Sequence, residues 1–175
     1  MFFVQMSGFP GSGKSTLARE LAKETGAVII DHDIVKSSLL QTIAGSSIDA
    51  KSTGAIGYHI DWSLIDSMLS QGKSVIFDSP CLYEEMIEKG THLAKKHNVT
   101  YKYVECYLDN RTEINNRLRN RDRLISQIKE INSEEAFQYT IKNSKKPMGL
   151  KCLVVDTSQP LESYVGTVLE YIQGV

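Results

Sequence analysis

Phe2-Phe3-Val4-Gln5-Met6-Ser7-Gly8-Phe9-Pro10-Gly11-Ser12-Gly13-Lys14-Ser15-Thr16-Leu17 decides how the rest of the chain is read. Phe2–Met6 is apolar and strand-like. Gly8–Ser15 matches the pattern G-x-x-x-x-G-K-[ST], and beyond it Leu17/Leu21 and Ala18/Ala22 recur at helical i, i+4 spacing. A strand, a Gly-rich turn and a helix, in that order, is the context in which this pattern cradles phosphate. Gly8, Gly11 and Gly13 let the backbone curl so that successive N–H groups point inward, with Pro10 and Ser12 carried along the same turn. The helix opening near Ser15 and Thr16 adds unpaired N–H groups and the positive end of its dipole. Lys14 can reach the β- and γ-phosphates, and the Ser15 hydroxyl can join the shell of a Mg²⁺ ion bridging them. ATP with Mg²⁺ is therefore the expected donor. A mere Gly-rich turn with a surface lysine would need neither flanking element.

The chain of 175 residues has the size of one domain with a full core. Its hydrophobic fraction of 41% and charged fraction of 23% are ordinary for a globular protein. With 20 basic and 21 acidic residues the net charge is −1, which argues against a broad nucleic-acid-binding surface but leaves room for a local basic cleft. No apolar run approaches the roughly 18 residues of a membrane span. No basic region precedes the first apolar stretch, so no signal peptide is expected and the cytoplasm is the default compartment. Cys81, Cys106 and Cys152 are odd in number and lie in or beside apolar stretches, reading as reduced core residues.

Further along, short apolar runs alternate with helical patterns. Ala27–Ile30, Ser74–Phe77, Tyr101–Leu108 and Cys152–Val155 read as strands. Helices are expected over about Ser15–Thr25 (stopped by Gly26), Ile34–Ile43, Gly54–Ser70, Tyr83–His97, Arg111–Arg123, Ser133–Asn143 and Leu161–Gln173, with a Gly/Ser-rich loop over Ala44–Thr53. Such alternation means crossover units and a parallel sheet of five strands covered on both faces. Ligands lie at the carboxyl ends of the strands in such a sheet. That rule gathers the Gly-rich loop, Asp31–Lys36, Asp78–Pro80, the region after Leu108 and Asp156–Pro160 at one rim.

Three clusters at that rim can carry chemistry. Asp31-His32-Asp33 places two carboxylates at a strand end, where one could hold a Mg²⁺-bound water and the other accept the proton of a hydroxyl. Asp33 could equally cap the following helix. Val75-Ile76-Phe77-Asp78 has the form of a Walker B element, with Asp78 reaching Mg²⁺ or substrate, or else making an Asx-turn with Ser79-Pro80. Arg111, Arg117, Arg119, Arg121 and Arg123 crowd one helix and its exit. Arg117 and Arg121, at i, i+4, should share a face, and with Arg123 could close over the phosphates or form a solvated basic face. His32, His59, His92 and His97 have no metal-ligand spacing, and Trp62 reads as packing.

These features resemble the small P-loop kinases, a group including polynucleotide 5′-hydroxyl kinases, chloramphenicol phosphotransferase, zeta-toxin-like kinases, gluconate kinase and shikimate kinase. Gly8–Ser15, Asp31-His32-Asp33, Asp78-Ser79-Pro80 and Arg117-Leu118-x-x-Arg121 carry the likeness. It implies a P-loop NTPase α/β/α sandwich over residues 1–175, with an Arg-rich lid at about 117–147. It also implies that Asp33 orients or deprotonates an acceptor hydroxyl, that Arg117, Arg121 or Arg123 closes on ATP, and that Thr157-Ser158-Gln159-Pro160 borders adenine. Asp31, Asp33, Lys36 and Asp78 would face the substrate. Lys36 stands where polynucleotide kinases place an Arg three residues after this Asp, a point charge in place of a bidentate fork. A small-molecule hydroxyl is thus the expected acceptor, with a polynucleotide 5′-hydroxyl and an acceptor-free ATPase or switch as the alternatives. Neither N-K-x-D nor L-S-G-G-Q occurs.

Overall fold

A computed structural model describes residues 1–44 and 49–174. Five apolar runs form the strands β1 (Phe2–Ser7), β2 (Val28–Asp31), β3 (Val75–Asp78), β4 (Thr100–Tyr107) and β5 (Cys152–Asp156). They pair in parallel in the order β2-β3-β1-β4-β5. Side chains alternate between the faces of a strand, and here both faces are apolar. Phe3, Val75, Phe77 and Tyr103 point to one side, where they meet Trp62, Ile65, Leu69, Met86 and Leu93. Val4, Met6, Ile76, Val104 and Val155 point to the other, against Leu17, Ala18, Leu21, Val168 and Ile172. The expected three-layer α/β/α sandwich follows from that alternation.

The helices are α1 (Lys14–Thr25), α2 (His32–Thr42), α3 (Ala50–Ser70), α4 (Glu84–Lys96), α5 (Arg111–Asn120), α6 (Glu134–Lys142) and α7 (Val165–Gln173). Helices α3 and α4 cover one face and α1 and α7 the other. A smaller cluster joins Phe9 of the Gly-rich loop to Ile114, Leu118 and Phe137, with Phe9 and Phe137 edge-to-face at 4.8 Å. Because β1 lies between β3 and β4, the chain leaves it toward opposite edges, and the crevice opens at its carboxyl end. No helix among the described residues is long and apolar enough to cross a membrane. Cys81 and Cys106 are buried free thiols, pushed by burial up to about 11 and about 12 respectively, and Cys152 is half-buried and free.

Four boundaries differ from the sequence expectation, each for a local reason. Helix α2 opens at His32, not Ile34, because Asp31 caps it: its Oδ1 accepts from the Asp33 N–H at 2.9 Å and the Ile34 N–H at 3.4 Å. Helix α3 begins at Ala50, not Gly54, because Asp49 accepts from the Ser52 N–H at 2.9 Å and overrides the Gly/Ser signal. The loop expected over Ala44–Thr53 is therefore shorter, and residues 45–48 of it lie outside the described set. Helix α5 ends at Asn120, with Arg121 in extended conformation, so Arg117 and Arg121 do not share a helical face. Residues 161–163 form a single 3₁₀ turn ahead of α7.

Candidate active site

The Gly-rich loop runs from β1 into α1 on three left-handed glycines: Gly8 at φ 133°, Gly11 at 87° and Gly13 at 91°. At Gly8 the demand is also steric, since a Cβ there would lie 2.3 Å from the Cys106 carbonyl oxygen. Gly13 caps α1 without a side-chain hydrogen bond, so no capping side chain claims the first N–H groups of the helix. Lys14 is buried, and its ammonium donates to the carbonyls of Gly8 at 2.9 Å and Phe9 at 3.2 Å. Pro10, Gly11, Gly13, Lys14, Ser15 and Thr16 line a cleft of about 1510 Å³, whereas Gly8 and Ser12 form the body of the loop behind it. One ligand needs roughly 300–1,000 Å³, so this cleft has room for a nucleotide and a second molecule.

Asp78 ends β3 beside the loop and is 4% exposed. Its Oδ2 has no hydrogen-bond partner among the described residues, and burial pushes its carboxyl pKa up while nearby Lys14 and Ser15 pull it down. An orphaned buried carboxylate oxygen next to a serine hydroxyl suits a hard cation, and Mg²⁺ commonly takes only one or two such side chains plus phosphate oxygens. Asp31 is put to a different use from the one its motif suggested. It pairs with Asp78 across the β2–β3 ladder, caps α2 and does not line the cleft. Burial first, and Asp78 second, push its pKa up to about 6.

Asp33 and Lys36 line the cleft on α2. Asp33 is not the cap of its helix. Its Oδ2 accepts from Gln127 Nε2 at 2.9 Å, and Ser126 Oγ lies 3.4 Å from Oδ1 and 3.2 Å from its carbonyl. Ser37 and Ser126 share a 2.8 Å hydroxyl bond that ties the same segment to α2.

Arg117 stands over the loop. Its Nε donates to Glu113 Oε1 at 2.8 Å, its Nη2 to the Thr157 carbonyl at 2.9 Å, and its Nη1 lies 3.8 Å from where a Cβ on Gly13 would sit. Thr157 is fastened in turn to the Tyr107 carbonyl through its N–H and hydroxyl, each at 3.0 Å, which sets the loop of Thr157, Gln159 and Pro160 at the cleft wall. Arg121 also lines the cleft, donating to the Ile128 carbonyl at 2.9 Å. Burial lowers its pKa, and the charge of Asp33 opposes that shift. Arg123 bonds the Gln127 carbonyl at 2.8 Å and lies outside the cleft lining.

The profile of AAA_33, an AAA domain, matches residues 3–140, most of the chain. The chain belongs to the AAA_33 family. No curated protein sequence matches it. Among solved structures, a candidate kinase from Chloroflexus aurantiacus J-10-fl is 19% identical over 98% of this chain and 96% of its own, with a TM-score of 0.75. A sugar kinase from Janibacter sp. HTCC2649 is 18% identical over 98% and 94% of the two chains, at a TM-score of 0.66. A gluconokinase from Sinorhizobium meliloti 1021 is 17% identical over 98% and 91%, at 0.63. The AAA_33 chain thus has the fold of small P-loop kinases.

Several residues at the AAA_33 cleft carried no motif. Arg19, Tyr58, Trp62, Ser126 and Gln127 all line it, and Asp61 lies behind His32 with Nδ1···Oδ2 at 2.6 Å. Only Asp61 left a legible trace. It continues the buried row Ile65 and Leu69 at i, i+4 spacing, a place where an acid has no reason to be unless something inside needs it.

Proposed function

We propose that this AAA_33 protein is an ATP- and Mg²⁺-dependent phosphotransferase whose acceptor is a hydroxyl of a small molecule. The observation that carries the reading is the placement of Asp33 on the rim of the same cleft that Lys14, Ser15 and Arg117 line. The loop N–H groups and Lys14 would bind the phosphates of ATP, and Thr157, Gln159 and Pro160 would border the base. Ser15 and Asp78 would hold Mg²⁺, which when bound neutralises charge on the β- and γ-phosphates. Asp33 would take the proton of the acceptor hydroxyl as its oxygen bonds to the γ-phosphorus, and the bond to the β-bridging oxygen breaks to release ADP. Arg117, beside Gly13, and Arg121 would stabilise charge spread over the transferring group. The similar sugar kinase and gluconokinase, both named for small hydroxyl compounds, support this choice of acceptor. The cytoplasm, as the site of ATP supply, is the compartment this reading favours.

ADP formation measured with and without hydroxyl acceptors tests it. Acceptor-dependent turnover that vanishes in Lys14→Ala is expected. Turnover indifferent to every acceptor would return the protein to an ATPase or switch, and retained transfer in Lys14→Ala would remove the donor assignment.

A further inference from the structure

His32 sits between the two acids of its motif, yet it is held by a third. Its Nδ1 donates to Asp61 Oδ2 at 2.6 Å, and Asp61 is wholly buried, with Oδ1 unpartnered among the described residues. A buried carboxylate is costly to retain, so a purpose is called for. The surroundings fix the imidazole completely. One face stacks on Tyr58 at 3.8 Å and 8°, and the edge at Cε1 lies 3.2 Å from where a Cβ on Gly57 would be. A side chain at that turn of α3 would press on the ring, and glycine avoids this. Tyr58 is itself anchored, its hydroxyl accepting from Ser79 Oγ at 3.3 Å. With Nδ1 taken by Asp61, Nε2 has no partner among the described residues and is the one polar edge that His32 offers to the cleft it lines.

Aromatic and apolar side chains make up much of the cleft wall. Tyr58 stacks on the ring, and Trp62, Leu82, Tyr83 and Met86 line the same cleft, with polar His59, Ser79, Glu85 and Lys89 among them. Trp62 is 8% exposed and rests edge-on against Phe77 at 4.9 Å, so the wall is rigid. A polyol packed against the rings of Tyr58 and Trp62 would lose water from every hydroxyl that faces them, which is costly for each left unpaired. A flat ring system instead gains contact area and offset stacking, and needs one or two polar groups to orient it.

We infer that this wall is the acceptor subsite, that it takes a hydroxyl compound with a planar aromatic body of nucleoside shape, and that His32, oriented by Asp61, hydrogen-bonds that body through Nε2. The inference rests on the phosphotransferase reading and narrows its substrate class. His32 is a specificity residue touching the substrate, and Asp61 is a positioning residue acting through it.

The chain carries a single tryptophan, and it stands in this wall, so binding can be read without catalysis. Protein saturated with a non-hydrolysable ATP analogue is titrated with a purine nucleoside, a pyrimidine nucleoside, gluconate and glucose while Trp62 emission is followed. Phosphorylation of the same compounds is measured in parallel with ATP. A saturable emission change with a nucleoside, none with the polyols, and transfer to that nucleoside are expected. His32→Gln should raise its KM at least about tenfold with ATP KM unchanged and kcat changed less, because a ground-state contact is lost. Asp61→Asn, which keeps an acceptor for Nδ1, should give a smaller rise of the same kind. Tyr58→Leu, which spares the buried pair, should also raise acceptor KM. Polyol phosphorylation with unmoved Trp62 emission would overturn the aromatic subsite and leave the kinase standing. Saturable nucleoside binding without any transfer would keep the subsite and overturn the kinase reading. No emission change with either nucleoside, or a His32→Gln enzyme with unaltered acceptor KM, would overturn the inference itself.

Discussion

Gln127 Nε2 donates to Asp33 Oδ2 at 2.9 Å, so the carboxylate proposed as base is held by the segment following α5 and not by its own helix. Ser126 lies against Oδ1 of the same group at 3.4 Å. An incoming hydroxyl therefore competes with the Gln127 amide for that oxygen. A single hydrogen bond to a charged group contributes about 1.5–3 kcal/mol, and most of that is regained when the acceptor replaces it. Gln127→Ala is accordingly expected to lower acceptor KM by about two- to tenfold, with ATP KM unchanged. Steady-state kinetics with the acceptor varied would show it, and a raised acceptor KM would instead make Gln127 a substrate contact.

Asp33→Asn keeps the hydrogen bond from Gln127 but cannot take a proton. General-base groups typically contribute about 10²–10⁴-fold, so kcat should fall by that order while nucleotide affinity is kept. A fluorescent ATP analogue measures affinity independently of turnover. An Asp33→Asn enzyme with full kcat would leave this residue only a tether for Gln127.

Of the four arginines beyond Glu113, Arg117 and Arg123 are separable by their contacts. Arg117 bridges Glu113 and the Thr157 carbonyl beside Gly13, whereas Arg123 serves the Gln127 carbonyl and does not line the cleft. Arginines that stabilise a transferring phosphoryl group can contribute about 10³–10⁵ in kcat. Arg117→Ala should therefore cost at least about a hundredfold in kcat, and Arg123→Ala no more than a few-fold. Equal losses in both would point to a shared structural role in the segment after α5.

The sheet was legible because its information is local. Each strand is a short apolar run, and burial of both faces leaves no polar alternation to confuse it with a surface strand. The Gly8–Ser15 loop was legible for the same reason, since its glycines, Lys14 and Ser15 stand within eight consecutive residues. What escaped depends on partners far apart in sequence. Ser126 meets Ser37 across 89 positions and Gln127 meets Asp33 across 94, and no periodicity in the segment hints at either. The end of α5 was misjudged because arginine favours a helix by propensity, while here Arg121 and Arg123 bond the carbonyls of Ile128 and Gln127 and hold a turn. Asp61 stands as an acid in line with buried Ile65 and Leu69, a signal the sequence reading passed over, and only the fold reveals His32 as its partner.

Asp31 offers a test on stability that is independent of turnover. Its pKa is raised from 3.8 to about 6, chiefly by burial and then by Asp78 beside it. A carboxyl raised on folding binds its proton more tightly in the native state. It therefore contributes stability that is complete below about pH 3.8 and is lost as pH rises through about 6. At pH 7.5 the charged group faces Asp78 across the ladder, and both carboxyls are pushed up. Asp31→Asn keeps an oxygen for the Asp33 and Ile34 N–H groups, so the cap on α2 survives, but it removes the charge. Thermal unfolding without nucleotide or metal should show Tm at pH 7.5 raised on the order of 2–4 °C, the shift that ~1 kcal/mol gives in a chain of this size. The gain should shrink to nothing near pH 4, where wild-type Asp31 is already protonated in the native state. A loss of Tm of equal size at both pH values would mean that the cap, not the charge, dominates at this position. Magnesium added at pH 7.5 should then stabilise wild type more than Asp31→Asn, because a cation beside Asp78 relieves the same repulsion that the substitution removes.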